Sequence, residues 1–224
     1  MAQNRQSQGQ ELKNVVIIGH SGAGKSSLIN MLCPNANARV GNDTIGCTNR
    51  EQIYTCRLGS GQQYNVHDTI GLGESRWGFL PAPNANKRLK CHLKRYMERK
   101  ELHLLIYCMS GERVYMKQSQ QRDYKNFKML VGSVPVVLVV TKLDDNLEGW
   151  WAENQNILRR LGMEFEEHAC VTTSGILVPS RDHHNKKLYN ESDRAVEFHK
   201  VVESRRAVEA LISRKLFGRR SSTW

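Results

Sequence analysis

The stretch IIGHSGAGKSS, Ile17 to Ser27, decides how the rest of the chain is read. It follows the apolar run NVVII and leads into SSLINML, so a glycine-rich turn stands between a predicted strand and a predicted helix. Gly19, Gly24, Lys25 and Ser26 fit the pattern G-x-x-x-x-G-K-[ST]. Such a turn aims successive backbone N–H groups inward, and the positive end of the following helix adds to them, which makes a cradle for a phosphate chain. Ser21, Gly22, Ala23 and Ser27 complete the cradle. Lys25 is placed to reach the β- and γ-phosphates, and Ser26 to offer its hydroxyl to Mg²⁺.

Three further segments take their meaning from that cradle. In VHDTIGLGE, Asp68 ends a strand and Gly71 follows three residues later. A carboxylate there orients Mg²⁺ through water, and a glycine lets its N–H approach a γ-phosphate. VVLVVTKLDD is a buried strand ending in Thr141, Lys142, Leu143 and Asp144. One carboxylate can accept both the ring N–H and the exocyclic amine of guanine, whereas adenine offers the opposite edge, so Asp144 selects guanine over adenine. The stem of Lys142 flanks the base. CVTTSG ends the last strand, and the amides around Thr173 and Ser174 can meet the guanine carbonyl. Between residues 34 and 50, Thr48 is the preferred threonine to complete the Mg²⁺ shell, with Thr44 in reserve.

Around these motifs, apolar runs alternate with longer amphipathic stretches, the pattern of β-α units on a largely parallel sheet. Strands are expected near 13–18, 51–58, 62–68, 102–109, 134–140 and 166–173, and helices near 25–33, 86–100, 115–131, 148–161 and 192–216. The glycine-containing turn LGSGQQ makes the second and third strands antiparallel neighbours. The final helix presents Val196, Val201, Val202, Val208, Leu211 and Ile212 to the sheet edge. Of Trp150 and Trp151, one is expected on the sheet and one at the surface.

At 224 residues and 39% hydrophobic, the chain suits one domain with one large core. The expected limits are a flexible N-terminus over 1–12, a domain over 13–217 and a basic tail over 218–224. No apolar run approaches the roughly 20 residues that span a bilayer, and the first residues lack a signal-peptide core, so a cytoplasmic protein is expected. Six cysteines without a C-x-x-C pair read as free thiols used for packing. His168, Cys170, His183 and His184 match no zinc spacing. A net charge of +11 favours an anionic partner, with cations concentrated at 86–100 and from Arg205 to Arg220. In the tail RKLFGRRSSTW, cations alternate with Leu216, Phe217 and Trp224, which suits a membrane surface or an acidic protein. No nucleic-acid-binding motif accompanies the charge.

In order and spacing, GHSGAGKS, GCT, DTIG and TKLD resemble the successive motifs of translation-factor-related small GTPases, over roughly residues 13–175. The Gly-Ala-Gly cradle with DTIGLGE is similar to the septin-like branch, which includes septins, the GIMAP immunity-associated GTPases and the Toc chloroplast-import receptors. The stretches LLIYCM, PVVLVVT, Trp150-Trp151 and EHAC look most like uncharacterised fungal G-domain proteins related to these. The resemblance implies a three-layer α/β P-loop GTPase fold (G domain), a mostly parallel six-stranded sheet with one antiparallel edge strand, and GTP or GDP with Mg²⁺ as ligands. Leu72 stands where Ras-like proteins carry a water-orienting glutamine, and Gly22 where the potassium-activated branch carries asparagine, so hydrolysis is expected to be slow. In GIMAP and Toc proteins an arginine placed comparably to Arg113 reaches across a dimer toward the partner's nucleotide. By resemblance Arg113 acts in trans, in a homodimer across the nucleotide face. The competing expectation is a non-catalytic assembly module held together by GTP.

Overall fold

The structure is a computed structural model that describes residues 11–36, 38, 52–69, 85–112, 118–143, 147–173 and 191–218. Its elements run β1 (Lys13–Ile18), α1 (Lys25–Leu32), β2 (Gln52–Arg57), β3 (Gln63–Asp68), α2 (Ala85–Glu98), β4 (Leu102–Ser110), α3 (Gln118–Val131), β5 (Val136–Thr141), α4 (Leu147–Arg160), β6 (His168–Cys170) and α5 (Glu191–Phe217). One six-stranded sheet in the order β2-β3-β1-β4-β5-β6 carries them. All neighbouring pairs are parallel except β2 and β3, which are antiparallel and place β2 at the edge.

The three layers follow from side-chain alternation along the central strands. Val15 and Ile17 of β1, Leu104, Ile106 and Cys108 of β4, and Val137 and Val139 of β5 face α1 and α5. Val16, Ile18, Leu105, Tyr107, Met109, Val136, Leu138 and Val140 face the other way, onto Leu89 and Leu93 of α2, Tyr124 and Phe127 of α3, and Trp150 and Leu158 of α4. A strand buried on both faces is apolar along its length, and β5 is from Val136 to Val140, with the buried Thr141 at its end. The chain winds from β1 to β3 on one side and then to β4 on the other. The crevice at the carboxyl ends of these strands is where ligands of open α/β sheets bind.

Several expectations need correction. The regular ladder of β6 is three residues long, yet backbone bonds from Glu166 N–H to Val136 (3.0 Å) and from Val171 N–H to Val140 (2.8 Å) extend the pairing on either side. Cys33 and Cys56 are not free thiols: they form a disulfide, with Cα atoms 5.2 Å apart, that ties the end of α1 to β2. Cys91, Cys108 and Cys170 are free. In α5, Val208, Leu211 and Ile212 are fully buried and Val201 packs against the same core, but Val196 is 56% exposed and Phe198 69%, so the apolar face runs from Val201 onward. Leu216 and Phe217 are used internally: Leu216 is buried, and Phe217 lies under the Lys13 ammonium, 5.4 Å from the ring centre. Trp150 is buried, and Trp151 stacks on His168 with ring centres 3.7 Å apart. Among the described residues no helix is long and apolar enough to cross a membrane.

Candidate functional site

The turn between β1 and α1 closes on itself. Ala23 N–H donates to the His20 carbonyl (3.0 Å), and the Lys25 ammonium bends back to the carbonyls of Gly19 (3.2 Å) and His20 (3.3 Å). Lys25 is only 8% exposed, so its charge is held within the turn. Gly24 is the N-cap of α1 at φ 82°. A β-carbon at Gly24 would be strained there and would lie 2.6 Å from the Thr141 hydroxyl. At Gly19 a β-carbon would overlap the Cys108 carbonyl, which explains why the turn starts and ends on glycine.

The turn is pinned from behind by the ends of two neighbouring strands. The Thr141 hydroxyl lies 2.7 Å from the Ala23 carbonyl, nearer than the 3.3 Å to Met109, so its one proton goes to Ala23. The Cys108 thiol donates to the same carbonyl (2.8 Å). Burial pushes that thiol up to about 12, so it stays protonated as a donor. With the carbonyls of Gly19, His20 and Ala23 taken by the protein's own donors, the turn is oriented with acceptors satisfied on its inner and rear sides. The N-terminus of α1 has no side-chain cap and no acidic residue in its first turn. The orphan N–H groups of a helix start need an acceptor, and a buried cation beside them suits an anion. The donors present therefore fit a phosphate chain.

Parallel register sets the other groups around the turn. Asp68, at the end of β3, pairs with Ile17 of β1 and is 4% exposed. The next residue, Thr69, donates its hydroxyl to the Ile17 carbonyl (2.6 Å) and holds the two strand ends together. Beyond β5, Lys142 adopts φ 58°, with its ammonium 3.6 Å from a Glu112 carboxylate oxygen. Leu143 packs over Gly111, whose N–H donates to Thr141 (2.8 Å) and whose carbonyl accepts Trp150 Nε1–H (3.3 Å). Thr172 N–H donates to Ser204 of α5 (3.1 Å), which positions the segment carrying Thr173.

Of the residues expected from sequence, Gly19, Ser21, Gly22, Ala23, Gly24, Lys25, Ser26 and Ser27 form the turn and the start of α1, and Asp68, Lys142 and Thr173 lie at strand ends on the same edge of the sheet. Thr44, Thr48, Gly71, Arg113, Asp144 and Ser174 lie outside the described residues. The supporting roles of Cys108, Thr141, Thr69 and Trp150 were not foreseen. All four act through backbone groups, and no local pattern marks such contacts.

Comparison with known proteins agrees with this geometry. A family profile described as "50S ribosome-binding GTPase" matches residues 14–142, more than half of the chain. Immune-associated nucleotide-binding protein 10 of Arabidopsis thaliana is 27% identical over 140 residues, covering 61% of this chain and 29% of that protein. The chain thus spans under a third of this curated relative. Among solved structures, a dimerisation-deficient variant of Toc33 from Arabidopsis thaliana aligns at a TM-score of 0.57 and 17% identity, covering 91% of this chain and 85% of that one. Era from Aquifex aeolicus, bound to GDP and aluminium fluoride, aligns at 0.55 and 17% identity, covering 73% of this chain and 52% of that one. At such identities the structural likeness establishes the three-layer fold.

Proposed function

The chain belongs to the 50S ribosome-binding GTPase family, and from that membership we propose that it is a guanine-nucleotide switch that hydrolyses GTP slowly to GDP and phosphate with Mg²⁺. The observation that carries this reading is the cradle, with Lys25 folded over it and the Ala23 carbonyl held from behind by Cys108 and Thr141. Here Lys25 and the turn amides balance the phosphate charge. Ser26 and Thr48 would ligate Mg²⁺, and Asp68 would orient it through water; when bound, the ion neutralises charge between the phosphates. Gly71 senses the γ-phosphate. Lys142 flanks the base, Asp144 pairs with guanine, and Thr173 and Ser174 meet its carbonyl.

Slow turnover follows from Leu72, which cannot orient water. In this reading Arg113 supplies the missing charge across a homodimer, where an added arginine contributes roughly 10³- to 10⁵-fold in rate. Support comes from the Toc neighbours, whose dimerisation is described as important for their GTPase activity. The same leucine favours a second reading, an assembly module that holds GTP without turnover.

Hydrolysis per subunit, measured with Mg²⁺ over a wide range of protein concentration, separates the two. The expected result is a specific rate that climbs with concentration and a climb that Arg113→Ala flattens. A rate near zero throughout, with GTP still bound, establishes the assembly module instead.

A further inference from the structure

His20, the second residue of the cradle, has its backbone fixed by Ala23 and Lys25, while its side chain leaves the cradle for α3. There His20 Nε2 lies 3.5 Å from Asp123 Oδ2. Asp123 is only 7% exposed. Burial pushes its carboxyl above the ordinary value, and His20, Arg122 of the same helix and Lys90 of α2 pull it back. Tyr107 of β4 faces the same carboxylate, and its phenol is raised above the ordinary 10. One buried carboxylate thus faces the cradle, α2, α3 and β4.

These groups differ in what pH does to them. Ammonium and guanidinium groups are ordinarily charged across the physiological range, and burial, which raises the Tyr107 phenol, keeps it neutral there. Among these side-chain types, imidazole is the one whose charge ordinarily changes between about pH 5 and 8. Protonated, it forms an ion pair with Asp123. Deprotonated, it leaves the desolvated carboxylate with less compensation, and the cradle loses its charged tie to α3.

We propose that His20 and Asp123 form a proton-dependent brace in which Asp123 is a positioning residue and the charge of His20 sets how tightly the cradle holds a guanine nucleotide. This rests on the nucleotide reading of the cradle. Its sign follows from the pair: the brace is complete where the imidazole is charged and the carboxylate ionised, and it is lost as rising pH removes the imidazole's proton. Nucleotide affinity falls with it, and by linkage a bound nucleotide stabilises α3 against the cradle.

The test has two arms. First, the His20 imidazole is followed by NMR titration without nucleotide in the parent and in Asp123→Asn; the variant should titrate about one pH unit lower. Equal midpoints overturn the brace. Second, GDP affinity is measured from pH 6 to 8. The parent should lose about tenfold more affinity over this range than His20→Gln, one pH unit of coupling being tenfold. His20→Lys, which keeps its charge, should retain at pH 8 the affinity it has at pH 6. A His20→Gln protein with the parent's pH profile overturns the proposal, and the two His20 variants decide it if Asp123→Asn does not fold. If the parent binds no GDP at any pH, the nucleotide reading fails, while the first arm still decides the brace.

Discussion

Thr141 is fully buried at the end of β5, and its hydroxyl is a contact between two segments 118 residues apart in sequence. Its proton goes to the Ala23 carbonyl, so the strand that leads to Lys142 also orients the turn before α1. Thr141→Val keeps the shape, leaves Cys108 as the carbonyl's remaining side-chain donor, and should cost about 1–2 kcal/mol of stability. The expected outcome is a lower denaturant midpoint at unchanged slope, with GDP bound about tenfold more weakly, read by calorimetric titration. Unchanged affinity would show that the Cys108 thiol alone holds the turn. The same hydroxyl explains why position 24 accepts no side chain, since positive φ and the closeness of Thr141 act together.

Among the elements, α5 shows how one helix serves two ends. Its C-terminal half is buried through Val208, Leu211, Ile212 and Leu216, and it is latched to the turn before β6 by charge. Arg214 donates to Glu167 at 2.6 and 3.0 Å, and Lys215 lies 3.2 Å from Glu167 and 3.1 Å from Glu166. The hydrogen bond from Arg214 holds the Glu167 carboxyl below its ordinary 4.5. A lowered carboxyl contributes stability in full above the unfolded value and loses it as pH falls through the folded one. Glu167→Gln should therefore melt below the parent at pH 7, and the gap in thermal midpoint should close as pH falls below 4.5, the ordinary value. A gap that persists in acid would mean that the latch acts through packing. Across the sheet, the disulfide between Cys33 and Cys56 joins the end of α1 to the edge strand and adds a covalent tie to the hydrophobic face they share.

For the whole molecule, the consequence is that a ligand in the crevice should stabilise the fold, because the cradle draws on α1, β1, β3, β4 and β5 together. The thermal midpoint is expected to rise with GDP concentration, by the equivalent of about 2.7 kcal/mol at a hundredfold excess over Kd. Lys25→Ala should show no such rise in a thermal scan, and a parent-like rise would remove Lys25 from the site. Read alone, the sequence determined the order and type of every described element, the antiparallel edge pair and the cradle. Period-two burial, helical spacing and the glycine positions of a phosphate turn are local properties, and they survive in any context that lets the chain fold. The tertiary structure alone decided that Thr141 and Cys108 share one carbonyl, that Cys33 and Cys56 meet, that Val196 and Phe198 of α5 stay exposed, and that His20 reaches Asp123. Threonine, cysteine, histidine and aspartate serve equally at many surfaces. Their partners depend on which strand ends and helices the order of the sheet brings side by side, and that proximity is written in no short stretch of sequence.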